Sequence, residues 1–100
     1  MNQGLKFDTG KPRMDFILEG MPNALLEIGK VATFGANKYA PHSWRGVEDA
    51  QCRYLAALMR HLLADARGEE LDPESGLLHL AHAAWGALAI LELKTLRSEA

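Results

Sequence analysis

The chain has 100 residues, 48% of them hydrophobic and 24% charged, with a formal net charge of −2. That length suits one domain, and that composition is globular and excludes a disordered segment. The charge also lacks the strong basic excess expected of a duplex-DNA binder, so no duplex DNA is expected as a partner.

Sixteen leucines and fifteen alanines stand against two valines, three isoleucines and three threonines. Such a balance favours helix and leaves too few β-branched residues for a sheet core, so the expected fold is all-α. Residues 1–20 mix Gly, Pro and charges with Leu5, Phe7, Phe16, Ile17 and Leu18, and read as an ordered basic arm with a turn at 8–12. A first helix is expected over 22–35, opening on Pro22 and stopping at Gly35. A loop follows, and a second helix is expected over 47–67, with Gly68 as its stop. Its apolar positions Tyr54, Leu55, Leu58, Met59, Leu62, Leu63 and Ala66 recur at three- and four-residue spacing, which predicts one buried stripe. The third helix is expected over 73–96, with Asp72 as cap, Pro73 at its first position and Glu74 in its first turn.

This third helix is apolar almost all round: between 77 and 93 only His79, His82 and Glu92 are polar. Two other short helices cannot easily wrap it, so a homo-oligomer with the third helix at the subunit contact is expected. A membrane span needs about 20 predominantly apolar residues, and two histidines in a short alanine-rich stretch speak against one. The single Cys52 excludes an internal disulfide and an all-cysteine zinc site. No charged segment followed by an apolar one opens the chain, so the expected compartment is the cytoplasm.

Charge is unevenly spread. Residues 1–60 carry eight Lys/Arg and six Asp/Glu, while residues 61–100 carry three and seven. A small anionic ligand therefore suits the first part. In the arm, Lys6, Lys11 and Arg13 surround a glycine turn whose backbone N–H groups could hold a phosphate, although the Walker spacing is absent. A solvated turn is the competing reading. In the loop, Lys38 and Arg45 interleave with Tyr39, His42 and Trp44, a combination suited to stacking a base beside its phosphates. Core packing is the competing role for Trp44.

On the second helix Arg53, Ala57, Arg60, His61 and Ala64 share the side opposite the leucines. Arg53 and Arg60 lie two turns apart and can reach one anion over Ala57. A solvated face, with Asp49 paired to Arg53, is the alternative. On the third helix Ser75, His79, His82 and Gly86 make a polar-and-small stripe. With His61 they give three possible imidazole ligands, a set that could suit zinc with Asp72 or water as the fourth. Hydrogen bonding to a ligand or across an interface is the commoner role for such histidines. No His-Asp dipeptide supports a His-Asp phosphohydrolase. The clustered Glu-Glu-x-x-Glu and Glu-x-x-Asp of all-α nucleotide pyrophosphohydrolases is also missing. Glu27 stands alone on the first helix, and Glu69, Glu70, Asp72 and Glu74 sit in a turn and a cap.

Asp8-x-Gly10-Lys11-Pro12-Arg13, Phe34-Gly35-x-x-Lys38-Tyr39, Trp44, Arg53-Tyr54, Arg60-His61, Gly68-Glu69, Asp72 and Glu74-Ser75-Gly76-x-x-His79-x-x-His82 form a specific string from about Lys6 to Leu93. That string resembles the phage-borne N-terminal domain family of dATP/dGTP diphosphohydrolases. The resemblance implies a viral, nucleotide-directed protein working in the cytoplasm of a host bacterial cell. It marks Lys11, Arg13, Lys38, Tyr39, Trp44, Arg53, Arg60, His61, Ser75, His79 and His82 as ligand-site candidates. The expected function is binding of a phosphate-bearing purine nucleotide-type ligand, in the manner of a sponge that sequesters a host immune signal. The alternative that the resemblance implies is a dATP/dGTP diphosphohydrolase. Glu27, Glu69, Asp72 or Glu74 would then bind magnesium or manganese, the cofactors expected only in the hydrolytic case. A second alternative is an oligomeric interaction protein without a small ligand.

Overall fold

A computed structural model describes residues 4–97, which form four α-helices and one 3₁₀ turn without a β-strand among them. The helices are α1 (Asp15–Leu18), α2 (Pro22–Lys38), α3 (Ala50–Ala66) and α4 (His79–Arg97), with the 3₁₀ turn at Ser43–Gly46. The all-α expectation holds, with one more helix than the three expected. The extra helix is a single turn inside the arm, where Arg13 donates two hydrogen bonds to the Asp15 carboxylate at 3.0 and 2.8 Å. The arm's turn also forms, closed by Lys11 N–H donating to the Asp8 carbonyl at 3.0 Å, with Gly10 at φ 83°.

Helix boundaries follow local chemistry. α2 opens on Pro22 as expected but runs through Gly35 to Lys38. Pro41 sets its end, because a residue preceding proline is pushed out of the helical region. α3 starts at Ala50 and not at 47, since Asp49 sits in the left-handed region at φ 53°. It ends in a Schellman motif: Gly68, at φ 95°, donates to the Asp65 carbonyl at 3.0 Å, and Glu69 N–H donates to Ala64 at 2.9 Å.

The third expected helix begins six residues later than its start signals suggest, at His79. Asp72-Pro73-Glu74-Ser75 does nucleate one turn. Asp72 Oδ1 accepts the N–H groups of Glu74 and Ser75 at 2.8 and 2.9 Å, and Gly76 N–H donates to the Asp72 carbonyl at 2.8 Å. Gly76 then adopts φ 73° and breaks the turn. An antiparallel bridge between Leu71 and Leu78 closes the excursion, and His79 N–H donates to the Glu70 carbonyl at 2.9 Å before α4 begins.

α3 and α4 form an antiparallel pair, with α2 laid against α4. The face that α3 turns to α4 is its small and polar one, carrying Tyr54, Ala57, Leu58, His61 and Ala64, all half-buried. Close approach needs small residues, and α4 supplies Gly86, where a Cβ would meet Leu58 Cβ at 3.4 Å. The expected buried stripe is therefore corrected in part: its Tyr54 and Leu58 are half-buried against α4, and Leu55, Met59, Leu62 and Leu63 are exposed. Leu55, Met59 and Leu63 point outward with 49, 59 and 60% exposure, because the two helices close on the face that carries Ala57 and Ala64 beside Tyr54 and Leu58. The buried apolar residues among those described are Val31, Ala81, Ala83 and Ala89. No described helix is long and apolar enough to cross a membrane.

Candidate functional site

Three aromatic rings pin the loop to the helical pair. Trp44, Tyr54 and Trp85 meet edge-to-face with centroids 5.5 to 6.4 Å apart. Tyr54 Oη donates to the Trp44 carbonyl at 2.7 Å, and burial raises the Tyr54 phenol above its ordinary range. Trp44 thus packs, as one of its two expected roles has it, while still lining the space beside it. Sequence reasoning did not single out Trp85; its place on an apolar helix hid it.

That space is a cleft of about 1170 Å³ between the C-terminal half of α2, the loop after it, and the flanks of α3 and α4. Lys38, Tyr39, Trp44, Arg53 and Arg60 line it, and His61 and His82 reach it from the helical pair. Ser75 and His79 adjoin these two through hydrogen bonds. Lys11 and Arg13 are not among the lining residues; the Arg13 guanidinium is paired with Asp15 and stacked over Phe16, 4.4 Å from the ring centre. Of the acids considered for magnesium, Asp72 and Glu74 line the cleft, Glu27 pairs with Lys30 at 2.7 Å, and Glu69 lies 3.7 Å from His79 Nε2.

Lys38 Nζ contacts Glu74 Oε2 at 2.6 Å, and this carboxylate holds the ammonium's pKa above its usual value. Neither Arg53 nor Arg60 has an ion-pair partner among the described residues; Arg53 donates only a long 3.5 Å bond to the Glu48 carbonyl. Two guanidinium groups are therefore available on one side of α3.

The histidines gather as their spacing suggests. His61 Nδ1 and His79 Nδ1 face each other at 2.8 Å, and His61 Nδ1 lies 3.9 Å from Asp72 Oδ2. The His61 and His82 rings stack, 4.5 Å between centres and 11° from parallel. His82 Nε2 shares a hydrogen bond of 2.7 Å with Ser75 Oγ, whose oxygen also accepts Leu77 N–H at 3.1 Å. Burial lowers the pKa of His61, and the neighbouring His82 and His79 lower it further. Burial likewise lowers His82. For Asp72, burial pushes upward, but the hydrogen bonds from Ser75 and Glu74 N–H outweigh it and hold the carboxyl below its usual range. At neutral pH the lowered His61 and His82 imidazoles are thus neutral beside the ionised Asp72 carboxylate.

A helical domain with an aromatic, arginine-lined cleft and a histidine–carboxylate cluster at its side is the class that fold and site define. The chain belongs to the family described as dATP/dGTP diphosphohydrolase, N-terminal, which matches residues 1–100. It is 37% identical over 90 residues to a protein of Salmonella phage PMBT28 named dATP/dGTP diphosphohydrolase. The aligned stretch covers 90% of this chain and 29% of that relative, so the chain spans less than a third of the relative's length. No solved structure matches it.

Proposed function

We propose that the cleft binds a phosphate-bearing purine nucleotide-type ligand. The observation that carries this reading is the pair Arg53 and Arg60, two turns apart, lining the cleft without ion-pair partners among the described residues. Unpaired guanidinium groups in a cleft suit phosphate oxygens, which they can grip two at a time. The volume of about 1170 Å³ lies just above the usual range of small-ligand pockets, about 300–1,000 Å³, and accommodates a nucleotide. Tyr39, 72% exposed and with Lys38 Nζ 5.2 Å from its ring centre, would stack the base. His82 and Ser75 would hydrogen-bond ribose or phosphate. Held without turnover in an infected bacterial cell, such a ligand is sequestered, and a nucleotide immune signal of the host fits that role.

The second reading is hydrolysis of dATP or dGTP, favoured by the name of the phage relative and by Asp72 and Glu74 at the cleft. Those two carboxylates would hold magnesium or manganese. Calorimetry with dATP, dGTP, cyclic oligonucleotides and ADP-ribose derivatives tests the binding. A saturable heat with at least one of them is expected, weakened about tenfold or more by Arg53→Ala. Pyrophosphate or phosphate release from dGTP with magnesium or manganese separates hydrolysis from holding. Silence across the whole ligand panel removes the nucleotide reading.

A further inference from the structure

His79 is the most deeply placed ionisable side chain described, 5% exposed, and its Nε2 is buried with no hydrogen-bond partner. Its other nitrogen, Nδ1, lies 2.8 Å from His61 Nδ1. Two ring nitrogens aimed at one another share either a proton or a cation. Asp72 completes the group: His61, Asp72 and His79 each offer one ligand atom, all within 4.8 Å of one another.

We propose that His61, His79 and Asp72 bind a zinc-class divalent cation, with water as the fourth ligand on the side of the cleft. Zinc–nitrogen bonds of about 2.0–2.1 Å in a tetrahedron separate two ligand atoms by about 3.3 Å. The nitrogen pair at 2.8 Å and the nitrogen–oxygen pair at 3.9 Å bracket that value, and with all three ligand atoms within 4.8 Å of one another, an approach of the Asp72 carboxylate toward the two imidazoles completes the geometry. Two imidazoles and one carboxylate favour zinc over magnesium, which takes oxygen ligands.

The surroundings orient each donor. Asp72 Oδ1 is occupied by the Glu74 and Ser75 N–H groups, which leaves Oδ2 turned to His61. His61 is held flat against His82, and His82 is itself withdrawn from the ligand set by Ser75. A cation on His79 Nδ1 places the hydrogen on Nε2, and Glu69 Oε1, 3.7 Å away, is the carboxylate that receives it after a small closure. A carboxylate behind a metal-bound histidine is the usual outer-shell arrangement, and it answers the unpartnered nitrogen. The proposal does not rest on nucleotide binding.

The test uses the full chain, stripped with chelator and titrated with zinc and, separately, with cobalt(II). One zinc per chain and the visible absorption of tetrahedral cobalt are expected. His61→Ala and Asp72→Asn, chosen because buried His79 could be needed for folding, should each weaken zinc about 100-fold or more while circular dichroism stays helical. Glu69→Gln should weaken it about tenfold. His42→Ala, at an exposed histidine outside the group, should leave it unchanged. No zinc heat and no cobalt absorption from a folded chain overturns the site, as does equal loss with His42→Ala.

Discussion

Burial makes His61 and His82 harder to protonate in the fold than in the unfolded chain, where each titrates near 6.5. Above that pH both states carry neutral imidazoles and the fold keeps its full stability. As pH falls below 6.5, the unfolded chain takes up protons that the fold resists, and stability declines until the lowered folded values are passed. Asp72 acts lower down, because its depressed carboxyl gives stability that is lost only below its ordinary 3.8. The chelator-treated chain should therefore melt at a lower temperature near pH 5 than near pH 7.5. His82→Phe should flatten that slope; a melting temperature independent of pH in this window, measured by circular dichroism, would contradict the burial argument. At this scale much was legible in the sequence. His79 and His82 at three-residue spacing, with His61 added from the preceding helix, read from the sequence as three possible imidazole ligands. Which histidine pairs with Asp72 was not legible, because that depends on how α3 is rotated against α4 and on the Ser75 hydroxyl capturing His82.

The elements show where short-range signals compete. The Asp72-Pro73-Glu74 start signal is real and forms its turn, yet Gly76 takes the left-handed conformation and postpones α4 to His79. Gly35 had the look of a stop but stays helical, and Pro41 sets the end of α2. Spacing could not reveal which side of α3 would be covered. An amphipathic pattern identifies a stripe, whereas closeness of packing selects the face, and here Gly86 and the alanines of α4 draw in the side carrying Ala57 and Ala64. Gly86 offers a direct check of this contact. A methyl there meets Leu58 Cβ at 3.4 Å, an ordinary contact distance, while glycine costs a helix interior roughly 1 kcal/mol relative to alanine. Gly86→Ala should accordingly leave stability unchanged or slightly higher. Gly86→Leu must force α3 and α4 apart, and should cost about 1–3 kcal/mol in urea unfolding. Equal stability of the two variants would mean that this contact does not hold the helices together.

For the molecule as a whole, the surface is too large for its mass. A compact monomer of 11.0 kDa is expected to expose about 5600 Å², whereas this chain exposes 7905 Å². Its radius of gyration is 17.1 Å, against about 13 Å for a compact chain of this length. Part of the excess is the outstretched arm, where Leu5 and Phe7 are 78 and 80% exposed. The rest includes a continuous apolar band on α3, with Leu55, Met59, Leu62 and Leu63 at helical spacing, and Leu80, Leu88 and Leu91 exposed on α4. Leucines left in water at this density favour association, since each one buried contributes about 1.5–3 kcal/mol. The prediction is a native mass at least twice 11.0 kDa by light scattering after size exclusion. Met59→Glu combined with Leu63→Glu places two charges in the band and should return the chain to a helical monomer. A wild-type mass equal to one chain would overturn self-association and assign the band to another segment or another protein. Because these two residues lie outside the cleft, loss of assembly with intact ligand and zinc binding would show that each chain carries a complete site. Loss of all three together would mean that assembly holds α3 and α4 in the register the site needs.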